Sequence, residues 1–313
     1  MNSMMRDAFL NRLLQEMKQD RNIFFLSADF GAPLLDVVRR DFPDRFLNVG
    51  IAEQNLINVA AGLALEGFRV FTYAIAPFYL RACEQVRINL SMLAQFRTMK
   101  LNLLAVGAGC SYVIAGPSHH CFEDISIFRT LPGIEVISPS DSISAAEAFP
   151  LTREEGLRYF RLDSQKLPDL YCADSFRWPN SGCQLLQNPE QPDCVLVSTG
   201  YLTHVAADVA RCLAQNGVRC RHLDMLQLKY PDTGFLQKVL DSRNIFTFEE
   251  GFIGKGGLDS LIRNLCQPGQ RVTAFGIPDR FEFSHGTRED TLAAYGIDPG
   301  SIACEIRNQL ALS

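Results

Sequence analysis

Residues 46–73 read FLNVGIAEQNLINVAAGLALEGFRVFTY, and this stretch decides the fold. Phe46-Leu47-Asn48-Val49 has the composition of a short strand, and it feeds Gly50, where a close approach or an unusual φ costs little. A helix is expected over Glu53–Glu66. Ile51, Ala52, Leu56, Ile57, Val59, Ala60, Ala61, Leu63, Ala64 and Leu65 leave no wet face on that stretch for several turns, and a helix apolar all round is normally buried. Phe68–Tyr73 returns as a strand. The unit is strand, helix, strand, the building block of a parallel sheet. One residue breaks its pattern. Glu53 stands in the first helical turn, either as a partner of the helix dipole, worth ~0.3–1 kcal/mol, or as a group kept dry for chemistry. The carboxyl edge of an α/β sheet is where such proteins bind ligands. A water-poor carboxyl group there suits proton exchange with a weakly basic nitrogen.

The same alternation continues on both sides. Ile23–Ala28, Leu101–Val106, Ile134–Ile137 and Leu157–Leu162 read as strands, and Met4–Met17, Phe78–Gln95 and Asp141–Glu155 as helices. Asp163–Asp193 then holds Pro168, Pro179, Pro189 and Pro192 with no clear period, the signature of a connecting segment. Beyond it, Val195–Ser198, Val218–Leu223, Ile245–Glu249 and Arg271–Phe275 read as strands. His204–Gln215, Thr233–Leu240, Gly257–Leu265 and Ile302–Leu310 read as helices. The expectation is an α/β protein of two doubly wound domains, 1–165 and a smaller 193–313, joined by a linker over 166–192.

Composition narrows the class. The 313 residues are 47% hydrophobic and 21% charged, with a net charge of −5 and no long run of one sign, which argues against a nucleic-acid or membrane-surface protein. No apolar run approaches membrane-spanning length, and the opening MNSMMRDAFLNRLLQEMKQD lacks the apolar core of a signal peptide. Ten cysteines without a CxxC pair read as thiols in a reducing cytosol. Five histidines without ligand-like spacing give no expectation of a metal site in this chain. FEEGFIGKGGLDSL does not match a phosphate-binding loop.

RFLNVGIAEQNLINVAAGLALEG, followed by APFYLRACEQVR and by GPSHH with EDI, resembles the pyrimidine-binding and C-terminal domains of transketolase. It is similar as well to 1-deoxyxylulose-5-phosphate synthase. The resemblance covers essentially the whole chain. It implies that Glu53 contacts ring nitrogen N1′ of thiamine diphosphate and drives the imino tautomer that removes the thiazolium C2 proton. It also implies that Phe78 stacks on the aminopyrimidine, with Ile75 where a second aromatic often stands. By their residues alone, Phe78 could equally be core and Asp29 a turn or cap residue; the resemblance places Asp29 near the cofactor pocket. His119 falls on the histidine that contacts the sugar near its reacting carbon, and His120 follows it. Arg6, and with it Arg161, are the cationic candidates for a substrate phosphate.

Two departures shape the expectation. No Gly-Asp-Gly motif occurs, and in the family that motif and a downstream Asn hold Mg²⁺ and the diphosphate. The chain is thus expected to be the second half of a split transketolase. A separate diphosphate-binding subunit would supply Mg²⁺ in an α2β2 assembly with self-association across a two-fold. Ala115, Ser164 and Pro33 also stand near positions where the relatives carry Asp, Arg and Ser, and Gly107-Ala108 offers no basic side chain. This weakens phosphate recognition and implies an unusual sugar or a grip supplied by the partner. The implied activity is transfer of a two-carbon ketol unit between sugars. A pyruvate-using synthase, a 2-oxoacid dehydrogenase beta-type subunit and a non-catalytic scaffold or regulatory subunit are the alternatives.

Overall fold

The computed structural model describes residues 3–311 apart from 30, 282, 284 and 285. The chain forms two compact units, Met1–Ala108 with Ile127–Trp178 and Gly109–Ser126 with Pro179–Ser313. Each is built on its own sheet, which is the doubly wound α/β class that the alternation predicts.

The first unit holds six parallel strands: β1 (Ile23–Ser27), β2 (Phe46–Asn48), β3 (Arg69–Ile75), β4 (Lys100–Val106), β5 (Ile134–Ile137) and β6 (Gly156–Leu162). Their order is β2-β1-β3-β4-β6-β5. Parallel neighbours require crossovers, and α1 (Met5–Gln19), α2 (Pro33–Asp41), α3 (Glu53–Leu65), α5 (Asp124–Thr130) and α6 (Ser142–Glu147) lie between or before the strands. β3 is buried at every position, as a strand covered on both faces must be. Phe9 of α1 packs against Phe71, Phe149 and Phe160, with ring centroids 6.5, 5.3 and 4.9 Å away.

Several features differ from the sequence reading, among them α5, where no helix is expected, and the helix expected over 141–155, which ends as α6 before a 3₁₀ turn Phe149–Arg153. The single helix expected over 78–95 is a succession of turns: a 3₁₀ run Ala76–Ala82, a short α4 (Cys83–Gln85), a π-helical Val86–Met92 and a last 3₁₀ turn Leu93–Gln95. Pro77 sits at the start of the first of these, where its missing N–H does no harm. α2 falls where the sequence pattern predicts no helix. α3 is not buried all round: Leu56, Ile57, Ala60, Ala61 and Ala64 face the core, while Gln54, Asn55, Asn58 and Gly62 are exposed. These four fall on one face at the 3.6-residue period.

In the second unit β7 (Cys183–Gln187), β8 (Cys194–Ser198), β9 (Cys220–Met225), β10 (Asn244–Phe252) and β11 (Arg271–Ile277) are ordered β11-β10-β8-β9-β7. The strands are parallel except β7, which pairs antiparallel with β9. β7 lies inside 166–192, where only a linker was expected. Its CQLLQ is half-buried along most of its length and gives no period to read. α7 (Leu202–Gln215), α8 (Thr233–Val239), α9 (Leu258–Arg263), α10 (Arg288–Ala294) and α11 (Pro299–Ala311) complete the unit; α10 was also unforeseen. Val205, Val209 and Leu213 of α7 meet Phe246, Phe248, Ile302 and Ile306 in one apolar cluster that also takes in Cys110 and Phe122. The segment Gly109–Ser126, placed by sequence within 1–165, therefore packs with the second unit. No described helix is long and apolar enough to cross a membrane.

Candidate active site

The sheet order of the first unit creates the site. From β1 the chain moves outward to β2, then α3 carries it back past β1 so that β3 lands on the other side. Its direction of travel reverses between β1 and β3, and the crevice beyond the strand ends at such a switch point takes ligands in open α/β sheets. Ser27 is in register with Asn48 on one side and Tyr73 on the other. Asp29, Glu53, Ile75 and Phe78 thus all follow closely on the carboxyl ends of these three strands.

Glu53 is the first residue of α3. Gly50, at φ +78°, makes the turn, and the N–H of Ala52 donates to the carbonyl of Gly50 at 2.7 Å. No side chain caps the helix, so Glu53 is not spent on that role. It is 3% exposed, and its Oε2 is buried with no hydrogen-bond partner. The nearest cation is Arg81, whose Nη1 lies 4.0 Å from Oε2 on a side chain that is 69% exposed. A buried carboxylate oxygen without a partner is costly, and a donor brought against it from a ligand would offset that cost. The amide of Gln54 donates to the carbonyl of Arg81 at 3.4 Å and ties α3 to the turn after β3.

That turn carries Ile75 and Phe78. Ile75 ends β3 and is buried, while Phe78 is half-buried. Between them and β4, Tyr79 is held inward, its hydroxyl 2.8 Å from Thr72 Oγ1 and donating to the carbonyl of Leu104 at 3.4 Å. Burial pushes the Tyr79 hydroxyl far above the usual phenol range, so it stays protonated. Phe78, next to the pinned Tyr79, is left half-buried.

Asp29 takes the left-handed conformation, φ +53°. Its N–H donates to Asn48 Oδ1 at 3.1 Å, and Asn48 Nδ2 donates back to Asp29 Oδ1 at 2.9 Å. The N–H of Gly50 also donates to Asn48 Oδ1, at 3.0 Å. Sequence reasoning missed both Asn48 and Arg81. For Asn48 a signal existed, an Asn two residues before a Gly at a strand end; for Arg81 the only hint was that a buried carboxylate calls for a cation.

The cationic candidates separate. Arg6 is largely buried and donates to Asp7 at 2.8 Å and to Met4 Sδ at 3.4 Å. Arg161 is 2% exposed and lies one residue before the end of β6.

His119 and His120 belong to the second unit. Gly116, at φ +71°, starts their turn, and its carbonyl accepts from the N–H groups of both histidines at 2.9 and 3.2 Å. His119 is half-buried, its Nδ1 3.0 Å from Ser118 Oγ. His120 is 5% exposed, packs on Phe122 at 5.4 Å between ring centroids, and leaves both ring nitrogens without a hydrogen bond. Burial pushes His120 below the usual imidazole range, against the opposing pull of Glu250. A bridge from Gly109 to Cys121 closes the loop. The N–H of Cys110 points to Glu250 Oε1 at 3.5 Å, and Glu250 is paired with the equally buried Arg288. Among the described residues no group of histidine, cysteine and carboxylate side chains could hold a metal ion.

Comparison with known proteins agrees with this architecture. Residues 2–168 match the family described as the transketolase pyrimidine binding domain, and residues 184–302 match the transketolase C-terminal domain. The chain is 28% identical over 302 residues to an apulose-4-phosphate transketolase subunit of Phocaeicola vulgatus, covering 95% of this chain and 94% of that one. It superimposes with a TM-score of 0.85 and 27% identity on a structure described as a split gene transketolase, inactive beta4 tetramer, across 100% and 99% of the two chains. A transketolase from Pichia stipitis in complex with sedoheptulose 7-phosphate shares the fold at a TM-score of 0.82 and 18% identity. That match takes in 99% of this chain but 46% of the other. From the strand order, the buried acid at the switch point and these matches together, the chain belongs to the transketolase family, carrying its pyrimidine-binding and C-terminal domains.

Proposed function

We propose that this chain is one subunit of a thiamine-diphosphate-dependent transketolase that moves a two-carbon ketol unit from a ketose to an aldose. The observation that carries the reading is the buried Oε2 of Glu53 at the β1/β3 switch point, which has no hydrogen-bond partner and only an exposed Arg81 4.0 Å away. A protonated ring nitrogen is the kind of donor that satisfies such an oxygen, and a pyrimidine offers one. Glu53 would hold and exchange a proton at N1′ of that ring. Phe78 would present its face to the ring and Ile75 an apolar flank, while Asp29 lines the end of β1. When bound, thiamine diphosphate supplies the electron sink for breaking and making the carbon–carbon bond. His119 would donate to sugar oxygens close to the reacting carbon, where a fixed donor stabilises developing charge. His120, buried beside it with both ring nitrogens free of hydrogen bonds, is the second histidine that could face the sugar. Arg6 and Arg161 are the cationic candidates for a substrate phosphate, both largely buried in this chain.

A separate subunit would hold the diphosphate and Mg²⁺. Support comes from the near-complete coverage of a chain named as a transketolase subunit and of a split gene transketolase chain, against under half of the Pichia stipitis chain. The exposed face of α3, with Ile51 74% exposed just before it, offers a surface for the two-fold self-association of an α2β2 enzyme.

The test is reconstitution with the diphosphate-binding partner. Sugar-to-sugar transfer should require both chains and thiamine diphosphate, and Glu53→Ala should lower turnover by at least ~10²-fold with an unchanged melting curve. Unchanged turnover in that variant would favour a scaffold subunit, and products formed from pyruvate in place of hydroxypyruvate would favour the synthase-type donor.

A further inference from the structure

We infer that Asn48 is a positioning residue for Glu53, acting through a hydrogen-bonded clasp with Asp29. The inference rests on the proposed role of Glu53 and extends it to side chains that need not touch any ligand.

Asn48 is the last residue of β2, and five residues later α3 begins with Glu53. The backbone between them has few other constraints. Val49 is fixed by its N–H donating to the Ser27 carbonyl at 3.0 Å, and Ala52 by its bond to Gly50. The chain reverses at Gly50 in the left-handed region, where no neighbouring atom lies within 4 Å of a built side chain. Position 50 itself therefore gives the turn no packing constraint. What sets it is the Asn48 amide, whose Oδ1 accepts from Gly50 N–H at 3.0 Å and from Asp29 N–H at 3.1 Å, while its Nδ2 donates to Asp29 Oδ1 at 2.9 Å. One side chain thus joins the end of β1 to the turn that aims α3.

Asp29 is the other half. It is one of two described residues other than glycine at positive φ, a conformation that costs free energy for most side chains and less for Asp or Asn. The clasp holds it there. Asp29 and Asn48 are both exposed, so their bonds contribute little to the core. Their effect falls on geometry, and reacting groups displaced by about 1 Å can lose ~10²-fold in rate.

The hydrogen-bond chemistry supplies a swap. Asn48→Asp alone sets two carboxylates against each other and loses the Nδ2 donor. Adding Asp29→Asn restores all three bonds with the roles reversed: the carboxylate now at position 48 accepts from both N–H groups and from the amide now at position 29. An asparagine side chain also suits the left-handed backbone there.

The experiment uses the full chain, first alone and then in the reconstituted complex. In the isotopically labelled chain, Asn48→Asp should shift the amide signals of Gly50 and Glu53, and the double variant should return them toward wild type. In the complex, Asn48→Asp should lower kcat about ten- to hundredfold with KM for the sugars within about twofold. An Asn48→Asp chain whose Glu53 amide does not move, or a double variant whose Glu53 amide stays where the single variant leaves it, would overturn the inference. A wild-type complex with no thiamine-dependent transfer would instead overturn the proposed function, and the amide signals would still decide the role of Asn48.

Discussion

Gly50 and Gly109 both lie in the left-handed region, at φ +78° and +57°, yet alanine should be tolerated at one and not at the other. A Cβ at Gly50 meets nothing within 4 Å, so Gly50→Ala should cost about 1 kcal/mol, the backbone penalty alone. A Cβ at Gly109 would fall 2.0 Å from Glu250 Oε2 and 2.8 Å from Glu250 Cβ. Glu250 cannot yield cheaply, because it is bound to Arg288, with Nε donating to Oε1 at 2.9 Å, and the Arg288 guanidinium lies 3.7 Å over the Tyr201 ring. Gly109→Ala should therefore lose about 3 kcal/mol or more, which urea denaturation of the two variants will compare directly. The contrast also shows which residues could be read from sequence. Glu53 was legible because it violates its surroundings, a charge opening an apolar helix. Asn48 and Arg81 were not, because an exposed polar side chain at a strand end or in a turn is ordinary until its partner is known. Gly109 depends on a carboxylate 141 residues further on, and no local pattern records that.

Among the elements, legibility followed burial. Strands β1, β3, β4, β5 and β6 are buried at nearly every position, and their number and order along the chain were read correctly. β7 was lost because CQLLQ is only half-buried along most of its length, whereas β5, also at a sheet edge, is buried at three of its four positions. The stretch after β3 reads as one helix because its apolar spacing is helical, but the ladder changes from 3₁₀ to α to π within 76–95. Mixed ladders of this kind are often found at functional sites. What anchors the first of these turns is Tyr79, bonded to Thr72 of β3. Tyr79→Phe keeps the ring and deletes the hydroxyl, leaving the Thr72 hydroxyl buried with one partner fewer. It should destabilise the chain by about 1–2 kcal/mol, measured by chemical denaturation. By loosening the turn that presents Phe78 it should also raise the thiamine diphosphate concentration needed for half-maximal activity in the complex. A Tyr79→Phe chain as stable as wild type would show that packing of the ring alone fixes the turn.

At the scale of the whole molecule, the two units hold different titrating groups, and acid should act on them in sequence. In the second unit Ser198 Oγ lies 2.8 Å from His222 Nε2. The pair looks like a nucleophile and its base, but both are buried in the sheet, closed to any substrate. Burial pushes His222 down to about 3, and its Nδ1 has no partner. An imidazole that titrates near 3 when folded and near 6.5 when unfolded is neutral in both states above pH 6.5 and adds no pH dependence there. Below 6.5 the unfolded chain takes up the proton first, so stability falls by about 1.4 kcal/mol per pH unit until pH approaches 3. His120, also lowered by burial, acts in the same direction. In the first unit the bidentate hydrogen bonds from Arg153, with help from Arg69, hold Glu16 down to about 2 against the effect of burial. A lowered carboxylate stabilises the fold above its unfolded value of 4.5, and that contribution is lost only as pH falls from 4.5 toward 2. Between pH 6.5 and 4.5 the loss therefore belongs to the histidines. His222→Gln, which keeps a donor for Ser198 and removes the proton site, should flatten the fall in stability across that window by one proton's worth. Glu16→Gln should leave the slope there unchanged and act only below it. Urea denaturation of the three chains at half-unit pH steps separates these outcomes, and a His222→Gln slope equal to wild type would mean that the imidazole is reached by water before the chain unfolds.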